Sequence, residues 1–259
     1  MKLKKPKFWD YQRPNFLSYF LLPLTLPIII NNFLLNLKKN KQQKHKVKKI
    51  CIGNIYIGGT AKTPLTIKIY QILNKLNIKT GTIKKFYKSH YDEQEMLSEK
   101  TKLYCEKSRI QALAKAIQDN IDVALFDDGL QDRSINYDLK IVCFNSIKRI
   151  GNGFLIPAGP LREKINSISK YDVAFINGNE EDNIKLKSLL KKYNTHIQIF
   201  ESNYKAINIK ELDIDAEYIV FSGIGNPESF KQTLINNNIK IEKEIIYPDH
   251  HQYTQKDID

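Results

Sequence analysis

Short apolar runs alternate along this chain with longer stretches in which apolar residues recur every third or fourth position. The runs have the length and composition of strands and cover residues 50–52, 123–126, 141–144, 173–176, 197–200 and 218–221. The stretch after the first run repeats at helical spacing, with Leu65, Ile69, Ile72, Leu73 and Leu76 on one face. This alternation predicts an α/β fold with a parallel sheet.

The segment between the first strand and its helix carries the strongest chemical signal. Residues 50–64 read ICIGNIYIGGTAKTP, an apolar run and a glycine-rich turn that ends in Lys62 and Thr63. In such a layout the backbone N–H groups and the positive helix end face a phosphate, the lysine reaches the terminal phosphates and the hydroxyl holds Mg²⁺. The strict pattern has glycine where Tyr56 and Ala61 stand, so an ordinary glycine-containing turn is the alternative interpretation.

A pair of carboxylates follows the apolar run at residues 123–126. In the segment VALFDDGLQD the run ends in Asp127 and Asp128. Carboxylates at the carboxyl end of a buried strand hold or orient hydrated Mg²⁺ in phosphoryl-transfer sites. Aspartate is also a common turn residue, so the pair alone does not establish a magnesium site. The Lys–Thr loop earlier in the chain makes that interpretation stronger.

Two segments place polar residues beside glycine and proline. Arg162 and Glu163 end GNGFLIPAGPLRE, residues 151–163, where they are candidates for a phosphate and a metal, or for a structural pair at a domain crossover. The segment FSGIGNP, residues 221–227, reads as a strand, a glycine turn and a proline at a helix start. It fits an anion-binding turn or a tight turn between strand and helix.

Acidic residues and histidines supply the remaining candidates for acid–base chemistry. YPDHHQY, residues 247–253, contains Asp249, His250 and His251, although this cluster has no further metal ligand nearby in the sequence. Asp92 and Glu93 lie in HYDEQEML. From the residues alone, these two are acids favoured by the dipole at a helix N-terminus.

The N-terminus combines an uncharged apolar segment with a basic run. Residues 14–37 carry no charge, and residues 38–49, KKNKQQKHKVKK, contain seven lysines. Anionic lipid surfaces attract basic residues that flank an apolar segment. Pro23, Pro27 and several asparagines interrupt the segment. We therefore expect a helix that lies in the membrane interface rather than one that spans the bilayer, and an apolar helix packed on the protein body remains the alternative.

Composition narrows the classes of partner. The formal net charge is +13, which favours an anionic partner. The sequence lacks the interleaved aromatic and basic surface of proteins that bind single-stranded nucleic acid, so we expect no nucleic-acid partner. A soluble nucleotide hydrolase or a nucleic-acid binder is therefore the least favoured of the functional hypotheses. The three cysteines lie far apart, which argues against a disulfide framework and a structural zinc site.

Glycine and proline cluster at residues 146–160, before a second series of strands and helices. We accordingly predict a membrane-associated N-terminal segment (residues 1–46), a phosphate-loop nucleotide-binding domain (47–147) and a second α/β domain (148–259).

These segments together resemble the tetraacyldisaccharide 4'-kinase family, the lipid A kinases of Gram-negative inner membranes. The similarity is carried by GNIYIGGTAKTP, DDGLQ, GNGFLIPAGPLRE, GIGNPESF and PDHH, in that order along nearly the whole chain. The resemblance implies two α/β/α domains joined by a hinge, with an N-terminal helix on the cytoplasmic face of the inner membrane. It also implies transfer of the γ-phosphate of ATP, with Mg²⁺, to the 4'-hydroxyl of an acylated glucosamine disaccharide phosphate. We expect the protein to act as a monomer.

The same resemblance assigns roles to individual residues. Asp92 would be the base that accepts the hydroxyl proton, with His250 assisting it and Lys62 acting on the phosphates. ATP would be held by Gly58, Gly59, Thr60, Ala61, Lys62, Thr63 and Arg162. Mg²⁺ would be held by Thr63, Asp127, Asp128 and Glu163.

The chain departs from the family pattern at several places. Ala61 replaces a glycine, Asp132 replaces a common histidine, and GTIKKFYKSH lacks the usual Arg-Gly-Tyr element. The chain also ends at Asp259, just past PDHH, where the family continues with another strand. A methyl group at Ala61 would strain the loop if that position needs a positive φ. These departures leave an alternative function, a catalytically impaired relative that binds nucleotide or lipid without turnover.

Overall fold

The computed structural model describes residues 5–37, 46–178, 180–248, 251 and 253–258. The chain divides into two compact units, one formed by Lys5–Ser202 and a smaller one that starts at Asn203. Each unit has its own sheet, as described below.

The N-terminal segment consists of short helices broken at prolines. Helices α1 (Phe16–Phe20) and α2 (Leu26–Leu37) are accompanied by 3₁₀ turns at Lys7–Asp10 and Leu22–Thr25. The Asn15 side chain caps α1 by accepting a hydrogen bond from the Ser18 backbone N–H at 2.9 Å. Among the described residues, no helix has both the length and the apolar character needed to cross a membrane.

Much of the apolar surface of this segment faces outward. Large apolar side chains are exposed along α1, α2 and the turn between them: Phe16, Leu17, Tyr19, Phe20, Leu22, Leu24, Leu26, Ile30, Phe33 and Leu34. In contrast, Ile28 and Ile29 pack against the core of the larger unit. The segment thus has one side packed on the protein and another covered with exposed apolar groups.

Buried polar contacts fix the start of this segment to the larger unit. Trp9 Nε1 donates to the backbone carbonyl of Pro157 at 2.9 Å. The buried amide of Asn152 donates to the Ser18 hydroxyl at 2.9 Å, and its backbone N–H donates to the carbonyl of Trp9 at 3.0 Å. The first helices therefore belong to the larger unit, and do not form the separate N-terminal region predicted at residues 1–46.

A second set of contacts centres on Asp10. Its carboxylate accepts hydrogen bonds from the Tyr56 hydroxyl, from Lys5 at 2.6 Å and from Lys148 at 3.2 Å. Burial alone would raise the pKa of Asp10, but these donors outweigh it and hold the pKa below its ordinary value. Asp10 is therefore ionised at neutral pH and links the N-terminal segment to the loop that contains Tyr56.

The larger unit contains the elements β1 (Lys48–Gly53), α3 (Lys62–Lys75), β2 (Thr80–Lys85), α4 (Tyr91–Lys100), β3 (Leu103–Glu106), α5 (Arg109–Gln118), β4 (Val123–Asp127), β5 (Leu139–Asn145), β6 (Val173–Asn177), α6 (Glu180–Tyr193) and β7 (Gln198–Ser202), with a 3₁₀ turn at Ile165–Lys170. In the part of this unit that the structure describes, the seven strands form one parallel sheet in the order β3-β2-β4-β1-β5-β6-β7. The adjacent strands β1 and β4 bring the candidate loop and the Asp127–Asp128 pair to the same edge of the sheet, where open α/β folds bind ligands.

The sheet crosses the predicted domain boundary. β5 pairs with β6 in a register that begins at Ile141 and Val173, and β6 pairs with β7. The boundary in the structure follows Ser202, and not residue 147. The glycines and prolines at residues 151–160 form a packed crossover between paired strands instead of a linker, with short bridges that join Leu161 to Tyr56 and Leu155.

Both faces of the central strands are covered. Cys51 and Ile52 are successive residues of β1, and both are fully buried on opposite faces of the sheet. Ile52 packs with Leu65 of α3, whereas Cys51 belongs to the core that also contains Ala112 of α5. Burial on both sides explains why the strand reads as a continuous apolar run.

The smaller unit is a compact strand–helix–strand arrangement. It contains β8 (Glu217–Ser222), α7 (Pro227–Asn236), β9 (Lys240–Ile246) and α8 (Gln255–Ile258), with a 3₁₀ turn at Ile209–Glu211. β8 and β9 pair in parallel, and α7 is the crossover between them. α7 begins at Pro227, whose fixed φ suits the first turn of a helix. The segment FSGIGNP thus forms the turn between β8 and α7.

Candidate active site

The loop between β1 and α3 has the backbone geometry of a tight phosphate-binding turn. Ala61, immediately before α3, adopts a left-handed conformation with φ 63° and ψ 26°, and Gly58 has a φ of 126°. A left-handed conformation costs an L-residue roughly 1–2 kcal/mol, whereas glycine adopts it freely. The structure confirms that this position requires a positive φ, so Ala61 carries the strain expected from the sequence.

Side chains on both sides hold the loop in place. The fully buried Asn54 donates from its amide to the Gly58 carbonyl at 3.2 Å and to the Thr60 hydroxyl at 2.9 Å. Gln131 in turn donates to the carbonyl of Asn54 at 3.0 Å. Tyr56, which occupies a glycine position of the strict pattern, is buried and donates to Asp10. Its ring is therefore a packing residue of the loop.

The backbone donors of this loop fit a phosphate chain. No backbone carbonyl within the described part of the chain accepts a hydrogen bond from the N–H groups of residues 58–61. The N-terminus of α3 likewise has no side-chain cap. Orphan N–H groups at the start of a helix bind anions well. The loop thus offers its donors, together with Lys62, to the phosphates of a nucleotide.

Asp127 lies at the end of β4 and is completely buried. Its Oδ2 accepts from the Thr63 hydroxyl at 3.2 Å and from Lys84 Nζ at 2.5 Å, and its Oδ1 accepts from the Thr66 hydroxyl at 3.3 Å. The structure therefore brings Thr63 and Asp127 together, as the sequence predicts. Lys84 and Thr66 are further partners that the sequence analysis missed.

Asp128 occupies the next position and faces the cations of the site. Its Oδ1 accepts from Arg162 Nη1 at 2.8 Å and lies 3.7 Å from Lys62 Nζ. Burial raises the pKa of this carboxyl, but Lys62 and Arg162 outweigh the effect and lower the pKa to about 2. Asp128 is thus ionised across the physiological range and is positioned next to both candidate phosphate-binding cations.

Glu163 lies in a neighbouring network of hydrogen bonds. Its buried carboxylate accepts from Gln131 Nε2 at 3.0 Å, Arg133 Nη2 at 3.2 Å and the Tyr171 hydroxyl at 3.2 Å. The oxygen of the Gln131 amide accepts from Arg162 Nη1 at 3.4 Å. Gln131 thus connects Glu163 to the Arg162–Asp128 pair.

The acidic pair at residues 92 and 93 forms the first turn of α4. Asp92 is exposed, and Glu93 accepts a hydrogen bond from Lys84 Nζ at 2.8 Å. Burial alone would lower the pKa of Lys84, but Asp127 and Glu93 outweigh it and hold the pKa above its ordinary value. The helix start predicted for these acids is therefore present, and Lys84 links it to Asp127.

The histidine segment is only partly described. His250, the predicted assisting residue, lies outside the described residues, as does Asp249. Its neighbour His251 stacks on Tyr247 with ring centroids 4.3 Å apart, and its Nε2 lies 3.2 Å from Asp257 Oδ2. His251 thus packs within the smaller unit.

The donor set near Asp128 suits Mg²⁺, which proteins bind through one or two carboxylates completed by water and substrate phosphates. Thr63, Asp127 and Asp128 supply a hydroxyl and two carboxylates at the phosphate loop. Within the described residues there is no cluster of three or more histidine, cysteine, aspartate or glutamate side chains arranged for a metal.

Arg109 is another residue that the sequence analysis missed. It begins α5, is buried, and donates from Nη2 to the backbone carbonyl of Asp128 and from Nη1 to Asp132 Oδ2 at 3.2 Å. Asp132, which stands where the family has a histidine, therefore pairs with an arginine beneath the turn. No local sequence pattern marks Arg109, because its partners lie about twenty residues away.

Comparison with known proteins agrees with this geometry. A family model described as tetraacyldisaccharide-1-P 4'-kinase matches residues 17–259. The chain belongs to the tetraacyldisaccharide 4'-kinase family. The kinase of this name from Pelagibacter ubique (strain HTCC1062) is 52% identical over 260 residues, which cover 100% of this chain and 82% of that protein. The kinase from Rickettsia canadensis (strain McKiel) is 33% identical over 278 residues, with 100% and 82% coverage.

A solved structure supports the fold of this kinase family member. The crystal structure of LpxK from Aquifex aeolicus in complex with ATP matches with a TM-score of 0.67 and 22% identity, covering 92% of this chain and 84% of that chain. At this identity the match shows a common α/β fold. The kinase resemblance identified from the sequence is thus confirmed, and the comparisons give no support to the impaired alternative.

Proposed function

We propose that this kinase transfers the γ-phosphate of ATP to the 4'-hydroxyl of tetraacyldisaccharide 1-phosphate. Family membership supplies the reaction and the substrate class. The observation that carries the proposal for this chain is the convergence of Lys62 and Arg162 on Asp128 beside the left-handed loop. Phosphoryl transfer depends mainly on positioning and charge neutralisation, and this arrangement supplies both.

One set of residues binds the nucleotide and the metal, and another acts on the hydroxyl of the acceptor. The N–H groups of the loop, Lys62 and Arg162 bind the phosphates of ATP. Thr63, Asp127 and Asp128 would hold Mg²⁺, which would supply charge neutralisation at the transferred group. Asp92 accepts the proton of the sugar hydroxyl, with His250 assisting. A carboxylate at the start of α4 suits this role because Asp92 is exposed at the protein surface.

We also propose that the N-terminal segment places the kinase on the cytoplasmic face of the inner membrane. The exposed apolar groups of α1 and α2 support this, with Phe16 85% and Phe20 70% exposed. An interfacial helix buries such groups among lipid head groups and acyl chains. The acylated substrate lies in the same layer, so the segment brings the site to it. The hinge between two α/β domains that the family resemblance implies is part of the same proposal.

The direct test is transfer of radiolabelled γ-phosphate to tetraacyldisaccharide 1-phosphate in detergent micelles with Mg²⁺. The parent chain is expected to form the labelled product, and Lys62→Ala to lose it. Lys75→Ala is the matched control, because Lys75 is an exposed lysine at the other end of the same helix. A parent chain that binds Mg²⁺–ATP but forms no product would overturn the proposed activity and favour the impaired relative.

A further inference from the structure

Lys84 is a buried cation at the carboxyl edge of the sheet, to which the family resemblance assigns no role. It is 3% exposed and lies near the end of β2. β2 pairs with β4 in a register that sets Ile83 beside Phe126, so Lys84 lies next to Asp127. Nearly complete burial of a lysine is unusual, because a buried charge is costly unless it is paired. Lys84 is therefore not an ordinary solvent-exposed surface charge, and its partners indicate its role.

The ammonium of Lys84 joins two elements of the active site. It lies 2.5 Å from Asp127 Oδ2 and 2.8 Å from Glu93 Oε2. Asp127 belongs to β4 and contacts Thr63 of the phosphate loop helix, whereas Glu93 lies in the first turn of α4. Lys84 thus connects the start of α4 to the metal side of the site through two charged hydrogen bonds.

The connection reaches Asp92 through Glu93, the next residue of α4. Asp92 precedes Glu93 in the same helical turn, so a fixed Glu93 carboxylate limits how far this turn can shift or rotate. Asp127 is itself fixed, because Thr63, Thr66 and Lys84 all donate to it. Lys84 therefore joins the turn that carries Asp92 to the buried Asp127.

We propose that Lys84 is a positioning residue for phosphoryl transfer, which holds the first turn of α4, and with it Asp92, at a fixed place relative to Asp127. The proposal rests on the transfer reaction proposed above. It does not require Lys84 to touch ATP or the lipid. Misplacement of a catalytic group by about 1 Å costs on the order of 10²-fold in rate.

Three variants test this role against a matched control. Lys84→Met nearly keeps the length of the side chain and removes the charge, Lys84→Arg keeps the charge, and Glu93→Gln weakens the bond between Lys84 and α4 while Lys84 keeps its contact with Asp127. Lys85→Met is the control, because Lys85 is the next residue of the same strand and contacts the exposed ring of Tyr87. Steady-state transfer is measured for each with ATP and with lipid varied, and Mg²⁺–ATP binding is measured by the rise in melting temperature.

The expected result separates positioning from binding. Lys84→Met should lower kcat by about 10²-fold and change the KM for ATP by less than about threefold. Lys84→Arg should recover about tenfold of the loss, and Lys85→Met should match the parent. Glu93→Gln should lower kcat by about tenfold. The double variant Lys84→Met/Glu93→Gln should be no slower than Lys84→Met, because the two residues act through one link.

Other outcomes would overturn the proposal while leaving the kinase activity in place. A parent that transfers phosphate together with a fully active Lys84→Met variant would exclude a positioning role. A raised KM for ATP at unchanged kcat, with a smaller melting shift by Mg²⁺–ATP, would make Lys84 a nucleotide-binding residue instead. If Lys84→Met fails to fold, Glu93→Gln decides: full activity in that variant would refute the link to α4. An inactive parent would count against the proposed transfer reaction itself.

Discussion

Lys62 Nζ lies 3.7 Å from Asp128 Oδ1, and this oxygen also accepts a hydrogen bond from Arg162. One carboxylate therefore holds the lysine of the phosphate loop and an arginine from the crossover between β5 and β6. A phosphate in the loop would compete for both cations, so Asp128 also sets the position from which they reach the nucleotide.

This pairing predicts a pH-dependent contribution to stability. The pKa of Asp128 is about 2 in the folded protein against 3.8 for the unconstrained group. A carboxyl with a depressed folded pKa stabilises the protein above its unfolded pKa, and the contribution is lost as the pH falls through the folded value. Between pH 6 and pH 2 the parent should lose about 2 kcal/mol more than Asp128→Asn in urea denaturation.

Asp215→Asn is the control for this experiment, because Asp215 has an 88% exposed side chain. It should show the same pH dependence as the parent. Equal acid sensitivity of Asp128→Asn and the parent would mean that Asp128 is not held ionised by its neighbours.

The left-handed conformation of Ala61 predicts that Ala61→Gly stabilises the protein. The substitution relieves strain of roughly 1–2 kcal/mol but adds roughly 0.5–1 kcal/mol of backbone entropy to the unfolded chain. The net gain should be about 0.5 kcal/mol, measured by urea denaturation. Mg²⁺–ATP should also raise the melting temperature more in this variant, because the loop approaches phosphate without the methyl group.

Asn77→Gly provides the comparison for the Ala61 variant. Asn77 has a φ of 58° just after α3, and asparagine tolerates this conformation better than alanine. Its replacement should leave Mg²⁺–ATP binding unchanged. Loss of stability in Ala61→Gly would contradict a strained loop.

The buried pair of Lys84 and Asp127 predicts strong coupling in stability. Removing one member of a buried ion pair leaves an unpaired charge and costs about 3–5 kcal/mol. Lys84→Met should therefore lower the free energy of unfolding by about 3 kcal/mol. The double variant Lys84→Met/Asp127→Asn should lose less than the sum of the single variants, because position 127 then no longer carries a fully buried unpaired charge. Additive losses in urea denaturation would argue against the pair.

The exposed apolar side of α1 predicts lipid binding that point variants abolish without unfolding the protein. Phe16→Glu/Phe20→Glu should reduce flotation with vesicles that contain anionic lipid by more than about tenfold, because both rings are largely exposed and carboxylates are repelled by such a surface. The far-ultraviolet circular dichroism should match the parent. Phe200→Glu, at an exposed position of β7, is the control and should float normally. Undiminished flotation of the double variant would exclude α1 as the lipid contact.

The sequence predicted the strands β1, β4, β5, β6, β7 and β8. Of these, β1, β4, β5 and β6 read as continuous apolar runs because both faces are covered. β2 and β3 were missed, since TGTIKK and LYCE are short and partly polar, and their strand character depends on pairing with neighbours. β9, KIEKEII, was missed because its charged residues interrupt the apolar positions.

In the site, too, residues that belong to local motifs could be predicted, whereas a residue placed by strand pairing could not. The loop, Asp127, Asp128 and Arg162 follow from motifs, since the order of residues along a turn determines their chemistry. Lys84 could not be distinguished from Lys85 in the sequence. Only the register of β2 against β4 buries one lysine beside Asp127 and leaves the other half-buried.

The contact between Asp10 and the buried Tyr56 means that the N-terminal segment is not a detachable anchor. A shortened chain that starts at β1, made to improve solubility, would lose Asp10 and leave the Tyr56 hydroxyl and Lys148 without this partner. It would also remove Trp9 from the crossover that carries Arg162. A more soluble variant with an intact phosphate loop should therefore keep the backbone of the N-terminal segment. Only its exposed apolar side chains should be replaced.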